Sequence, residues 1–253
     1  SIRPSKRRRM HKRGLTNTPI NMRWLVAPST LFLTSTLTPV ALKGAPASPY
    51  TRKMLALLRY RRVPYQIIWG DPGQVCDAKG VIKPKPTFHP TFFFREQNGT
   101  AAVCDSTPII RRLEEDYPGR SVLPGDPALA FIDYLIEDFA DEWCTKYMFH
   151  YRWYGSEDAD NAGTLLPLGE DVSLPRETHE QFKTIFTDRQ VGRLYVVGSN
   201  DVTAPVIDAS YRRFLAAMEA HLAQQPFLLG RRPAAGDFGL HGQLTQLVQF
   251  DPT

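Results

Sequence analysis

The stretch Pro39–Arg61, PVALKGAPASPYTRKMLALLRYR, changes rhythm half-way along. Pro39-Val40-Ala41-Leu42-Lys43-Gly44 reads as a short strand that stops at a glycine. Ala45–Ser48 turns. Pro49 stands where a helix would begin, and its missing N–H is no loss there. From Tyr50 to Arg61, Met54, Leu55, Leu57 and Leu58 recur on a helical period, with Arg52, Lys53 and Arg59 expected outside. Val63-Pro64 ends the helix, and Tyr65–Trp69, aromatic and β-branched, reads as a second strand. A strand–helix–strand unit this short favours a parallel pair.

Outward from this unit, Asp71–Lys85 is rich in Gly, Pro and Lys and is expected to be irregular. Thr91-Phe92-Phe93-Phe94-Arg95 reads as a buried strand, turned by Gln97-Asn98-Gly99 into a partner strand over Thr100–Cys104. Ser106-Thr107-Pro108 opens a helix, with Ser106 as the candidate N-cap and Ile109, Ile110 and Leu113 inside. Residues 118–127, with Pro118, Pro124 and Pro127, read as a linker. Beyond them every segment reads helical. Ala128–Trp153 is expected to form one long helix with Phe131, Tyr134, Leu135, Phe139, Trp143, Tyr147 and Tyr151 along its inner side. Gly155–Pro175 is expected to be a loop, followed by helices over Glu177–Val197, Thr203–Ala223 and Phe238–Phe250. The division is thus a tail at 1–38, an α/β domain at 39–117, a linker at 118–127 and an all-helical domain at 128–253.

Charge separates the tail from the rest. The chain carries 31 Lys and Arg against 26 Asp and Glu. Eight of the basic residues precede position 41, and the first acid is Asp71. The remainder is mildly acidic, which argues against a nucleic-acid-binding body. The tail, with Lys6-Arg7-Arg8-Arg9 and Lys12-Arg13, suits a transit peptide, a basic binding patch or an unstructured extension. Its apolar run at Trp24–Leu33 is broken by Pro28 and is too short to span a membrane. Cys76, Cys104 and Cys144 are odd in number and far apart, which points to reduced thiols and no metal cluster.

Three motifs carry a resemblance. Gly44-Ala45-Pro46-Ala47-Ser48-Pro49-Tyr50-Thr51-Arg52-Lys53 resembles the strand-to-helix turn of glutathione S-transferases. Cys104-Asp105-Ser106-Thr107-Pro108-Ile109-Ile110 resembles the acidic-residue/Ser motif that holds the γ-glutamyl end of glutathione. Phe227-Leu228-Leu229-Gly230-Arg231-Arg232-Pro233-Ala234-Ala235-Gly236-Asp237-Phe238 is similar to the family's buried helix start. The resemblance runs from about Val40 to Thr253 and is closest to bacterial-type, Ser-containing members. Ala234 departs from it, standing where the family has a capping Ser or Thr, which should cost about 1 kcal/mol. The chain also stops soon after its last helix, so a truncated pocket is expected.

The resemblance implies a thioredoxin-like α/β domain with a mixed four-stranded sheet, a C-terminal helical bundle, a homodimer and a cytoplasmic detoxifying enzyme. The tail leaves an organellar location open. It also implies glutathione as co-substrate, no metal and a small hydrophobic electrophile as second substrate. Ser48 is then the catalytic hydroxyl that holds the sulfur anion, though by spacing alone it is a helix cap. Ser48, Tyr50, His89, Pro90, Asp105 and Ser106 would bind glutathione. His89 would use its backbone before a cis Pro90; a trans Pro90 and a shifted register on Pro86 stay open. Lys83 or Lys85 could meet the glycyl carboxylate. Tyr147, His150 and Tyr151, with Trp153, could wall the electrophile pocket or simply be core. Ser48-Pro49-Tyr50-Thr51 has the outline of a dithiol site with both sulfurs replaced by hydroxyls, which argues against disulfide exchange. A non-catalytic binding or scaffold protein, or a specialised glutathione-dependent lyase, isomerase or dehalogenase, are the alternatives.

Overall fold

The computed structural model describes residues 38–70 and 72–252. The basic tail lies outside the described residues except for Thr38.

Strand β1 (Val40–Lys43) runs parallel to β2 (Tyr65–Ile68) and antiparallel to β3 (Thr91–Glu96), which in turn pairs with antiparallel β4 (Gly99–Val103). The sheet order is β2-β1-β3-β4. Helix α1 (Pro49–Arg61) returns the chain from β1 to β2, and α3 (Ser106–Asp116) follows β4. Leu42, Phe92 and Phe94 of the sheet form one core with Met54, Leu57 and Leu58 of α1 and Ile109, Ile110 and Leu113 of α3. The thioredoxin-like half is therefore as expected, apart from α2 (Pro72–Lys79), a helix where an irregular segment is expected. Its sequence carries hardly any apolar period, so the pattern gives no helical signal.

The second half is helical. Helix α4 (Pro127–Asp138) runs through a π-helical turn at Phe139–Cys144 into α5 (Thr145–Trp153). This corrects the single uniform stripe expected along Ala128–Trp153. Phe131, Leu135 and Trp143 are 63%, 50% and 56% exposed, whereas Tyr147 is buried. A π turn widens the helical repeat, so the faces of α5 are rotated relative to those of α4. The inner side of α4 and its π turn carries Asp133, Glu137 and Asp141 instead, all buried. Helix α6 (Ser156–Leu168) replaces the expected loop. It buries Ala159, Ala162 and Gly163, residues too small to raise an apolar signal. Then come α7 (Arg176–Val191), a short 3₁₀ turn at Leu194–Val197, α8 (Ala204–Leu222) and α9 (Ala235–Gln249).

Helix α9 joins the two halves. Its Ala235 and Phe238 belong to the sheet-side core, and its Leu240 and Leu247 to the helical core. A β-carbon at Gly239 would lie 2.9 Å from the Ala140 β-carbon, and one at Gly242 would run into the Pro49 carbonyl oxygen. Glycine there lets α9 sit directly on the π turn and on the start of α1.

The capping defect expected at Ala234 is met from another helix. The Asp133 carboxylate accepts hydrogen bonds from the Ala235 and Gly236 amides at 3.2 and 2.9 Å. Asp237 accepts from the Ala234 and Leu228 amides at 2.9 and 3.0 Å. The free donors of the helix start thus all find oxygen without a capping hydroxyl. Replacing Asp133 by Ala would strand the buried Gly236 amide, whereas the Ala235 amide keeps its second acceptor, the Val122 carbonyl at 3.0 Å. Asp133→Ala should lower the unfolding free energy by about 1.5–3 kcal/mol in urea titration, given the worth of a bond to a charged group.

Candidate active site

The N-termini of α1 and α3 open on one cavity of about 820 Å³, with Ser48, Tyr50, His89, Asp105 and Ser106 all in its lining. Ser48 has extended backbone angles (φ −89°, ψ 119°), and its Oγ accepts from the Thr51 amide at 3.2 Å. It is a cap, as spacing alone suggests. Accepting that bond leaves its own hydrogen for another acceptor, so the cap and the sulfur-binding role are compatible.

Side chains from elsewhere fix the turn before Ser48. Arg52 Nε donates to the Pro46 carbonyl at 3.1 Å, and Arg152 Nη1 to the Ala47 carbonyl at 3.0 Å. Arg152 is buried on α5. Its Nε and Nη2 donate to Asp251 at 2.8 and 3.1 Å, and Nη2 also donates to Gln246 at 2.8 Å. The helical half therefore holds the loop that carries Ser48.

The cap of α3 is Asp105, which corrects the assignment to Ser106. Asp105 sits at φ 84° and accepts from the Thr107 amide at 3.2 Å. Ser106 is the first helical residue and is buried, its Oγ accepting from Lys53 Nζ at 2.9 Å. Lys53 itself is a second correction. Expected on the outer face of α1, it is 1% exposed. Its ammonium donates to Glu137 Oε1 at 2.9 Å and Asp141 Oδ2 at 2.5 Å as well as to Ser106. Thr107 Oγ1 also donates to Glu137 Oε1, at 3.0 Å. Burial pushes Asp141 up to about 6 against the pull of Lys53.

Tyr50 lines the cavity, but its hydroxyl donates to the Asp141 carbonyl at 2.8 Å, and burial pushes it up to about 12. It is a packing phenol and is not poised to ionise. The His89–Pro90 peptide is cis, and so is Lys85–Pro86. The His89 ring lies 3.2 Å from Glu170, which also takes the buried Lys43 at 3.1 Å. Burial alone would raise Glu170; the His89 hydrogen bond and the Lys43 ammonium outweigh it and hold its carboxyl below the usual range. With its ring so engaged, His89 has its backbone left to offer. Lys83 pairs with Asp77 at 2.8 Å, and neither Lys83 nor Lys85 is in the cavity lining.

Of the expected aromatic wall only Trp153 lines the cavity; the other three residues are on another side of the helix. Tyr147, His150 and Tyr151 are not in the lining. They bond Ser210, Ser199 and Asp208, at 2.8, 2.7 and 2.7 Å. The wall is built from Met148, Phe149 and Trp153 of α5, with Tyr134 and Leu166. Met148, Phe149, Arg152 and Trp153 follow an i, i+1, i+4, i+5 pattern, a legible helical face adjacent to the one chosen. Among the described residues no helix is long and apolar enough to cross a membrane, and no three His, Cys, Asp or Glu side chains could hold a metal ion.

Residues 42–121 match the family model described as the glutathione S-transferase N-terminal domain. Among solved structures, FzlA from C. crescentus is 19% identical over 85% of this chain and 81% of its own, with a TM-score of 0.52. A glutathione S-transferase from Rhodospirillum rubrum F11 is 17% identical over 84% and 80%, with a TM-score of 0.51. A glutathione transferase family member from Pseudomonas fluorescens Pf-5, solved with two glutathione bound, is 12% identical over 87% and 81%, with a TM-score of 0.50. At these identities the likeness is one of fold. A search of the curated proteins finds no match.

Asp141 supplies a test of the cluster beneath the cavity. A carboxyl whose folded value is raised from 3.8 to about 6 binds its proton more tightly in the folded chain. Its contribution therefore favours the folded state below the unfolded value and is lost as pH rises through about 6. Asp141→Asn removes this titration. The wild-type unfolding free energy should gain on that of the variant as pH falls from 7 to 5, as measured by urea titration at each pH.

Proposed function

We propose that this chain, a member of the glutathione S-transferase superfamily by its N-terminal domain and its two-part fold, conjugates reduced glutathione to an electrophile carrying an apolar group. The observation that carries this reading is the shared cavity. Two helix N-termini open on it, one bearing Ser48 and the other Asp105 and Ser106, and an apolar wall faces them.

Each part has a use. A free thiol with a pKa of about 8.5 yields little thiolate at neutral pH. A sulfur beside Ser48 would meet a hydroxyl hydrogen and the partial positive charge at the start of α1. A two-unit drop in pKa needs about 2.7 kcal/mol, within reach of one charge-assisted hydrogen bond and a helix end together. The start of α3 suits an α-carboxylate, and the exposed carboxylate of Asp105 suits an α-ammonium. Met148, Phe149 and Trp153 would press the second substrate toward the sulfur. The thiolate then attacks the electrophilic carbon, forming the carbon–sulfur bond as the leaving group departs with its electron pair, or as the electrons move onto an acceptor in addition. The outward apolar face of α4, with Phe131, Ile132 and Leu135 exposed, supports a homodimer.

Ser48→Ala should lower turnover of an aryl halide tenfold or more while the glutathione dissociation constant stays nearly the same, and Asp105→Ala should weaken glutathione binding. Retention on immobilised glutathione without turnover by the wild type would instead indicate a binding protein. A Phe131→Glu/Leu135→Glu pair should shift the sedimentation coefficient to that of a monomer.

A further inference from the structure

The charges around the cavity do not balance. Five carboxylates are in its lining, those of Asp105, Glu137, Asp138, Asp141 and Glu142. Its two basic side chains are both engaged by acids outside the lining, Arg152 by Asp251 and His89 by Glu170. Behind the lining, the single ammonium of Lys53 is divided between Glu137 and Asp141. One buried ammonium thus serves two buried carboxylates.

The shortfall is visible atom by atom. The Glu137 side chain is 2% exposed, and its Oε2 has no hydrogen-bond partner among the described residues. Arg111 Nη1, on a partly exposed side chain, is 3.8 Å from that oxygen, beyond hydrogen-bond reach. Asp141 Oδ1 is likewise without a partner. Two buried carboxylate oxygens left unmatched are costly unless a positive charge comes close. Asp138 and Glu142, exposed one turn apart at the mouth of the cavity, extend the same sign of charge outward, and a cleft of one sign concentrates its field. The apolar wall opposite carries three rings, Tyr134, Phe149 and Trp153, beside Met148 and Leu166. Ring faces attract cations through their quadrupole.

We propose that the second substrate is a cation, a protonated amine carrying an aromatic or alkyl body, with the acids of α4 and its π turn as its counter-charge. The inference deepens the transferase reading by naming the class of electrophile. It also removes a difficulty in that reading, because glutathione with its thiol ionised carries net negative charge into a negative cavity. A cationic partner offsets that repulsion, so the two substrates should favour each other's binding.

The test compares benzylammonium, benzyl alcohol and benzoate binding to the full chain by ligand-observed NMR, with glutathione titrated in parallel by calorimetry. With glutathione saturating, benzylammonium should bind about tenfold or more tightly than benzyl alcohol, and benzoate weakest, the ratio shrinking as salt screens the mouth carboxylates. Asp138→Asn/Glu142→Gln should reduce the preference to about threefold or less. Equal binding of the amine and the alcohol, tighter benzoate, or binding by none of the three would overturn the inference. So would a preference that vanishes once glutathione is present, since the cation accepted would then be the tripeptide's own ammonium. Glutathione binding without an amine preference leaves the transferase reading standing; an amine preference without glutathione binding does the reverse.

Discussion

One buried ammonium ties this structure together. Lys53 leaves α1, crosses to the helical half and ends among Ser106, Glu137 and Asp141. Its three hydrogens are all used, and the three acceptors belong to the start of α3, to α4 and to the π turn. An ammonium so deeply desolvated is tolerated only with such company. The positions of α1 and α3 relative to α4 are therefore coupled through one atom. Since Ser48 and Asp105 sit at the starts of those two helices, the spacing of the two halves of the cavity depends on the same contact. Tyr50 reinforces it by donating to the Asp141 carbonyl from the first turn of α1.

The second constraint is α9. A helix start buried between domains must satisfy its amides without water. Here Asp133 reaches across from α4, one helical turn before Glu137, Asp237 accepts from the Ala234 amide, and the Val122 carbonyl shares the Ala235 amide. Asp133, Glu137 and Asp141 succeed each other at intervals of four, a row of acids on the inner side of a helix. Asp133 serves backbone amides, and Glu137 and Asp141 share one lysine. That row displaces the apolar residues of α4 outward. The exposed face with Phe131 and Leu135 is thus the counterpart of a polar interior, and not an isolated accident of the surface.

This is also why some of the sequence was easy to read and some was not. The β1–α1 turn, the Phe92–Phe94 strand with its hairpin, and the buried start of α9 announce themselves through prolines, glycines and runs of apolar residues. Ser48, Asp105 and Ser106 could be placed at helix starts because a cap is a local feature. Lys53 could not, because its neighbours lie 53, 84 and 88 positions away. An inward lysine looks the same in sequence as an outward one. The missing cap at Ala234 has the same cause, its substitute being more than a hundred residues distant. Helix α6 escaped notice because it packs by small residues. Tyr147, His150 and Tyr151 misled for a subtler reason. They do share a face, but the π turn decides which neighbour that face meets, and no periodicity calculated with a uniform repeat registers the change.

The cavity's charge bears on how a sulfur anion could be held at Ser48 at all. A helix end and one hydroxyl are modest, short-range sources of positive potential. Arg152 stands close, at the Ala47 carbonyl, yet Asp251 neutralises it at short range. The five carboxylates of the lining oppose any anion at longer range. The field at the sulfur is then a difference between a local attraction and a diffuse repulsion. Solvent screens the diffuse part more than the local one, because Asp105, Asp138 and Glu142 are exposed whereas the start of α1 is packed against α9. Closure of the cavity by a ligand would remove that screening and strengthen both parts. Only a ligand that brings its own positive charge strengthens the attraction without the repulsion. The chemistry of the second substrate and the ionisation of the first are for this reason a single electrostatic problem.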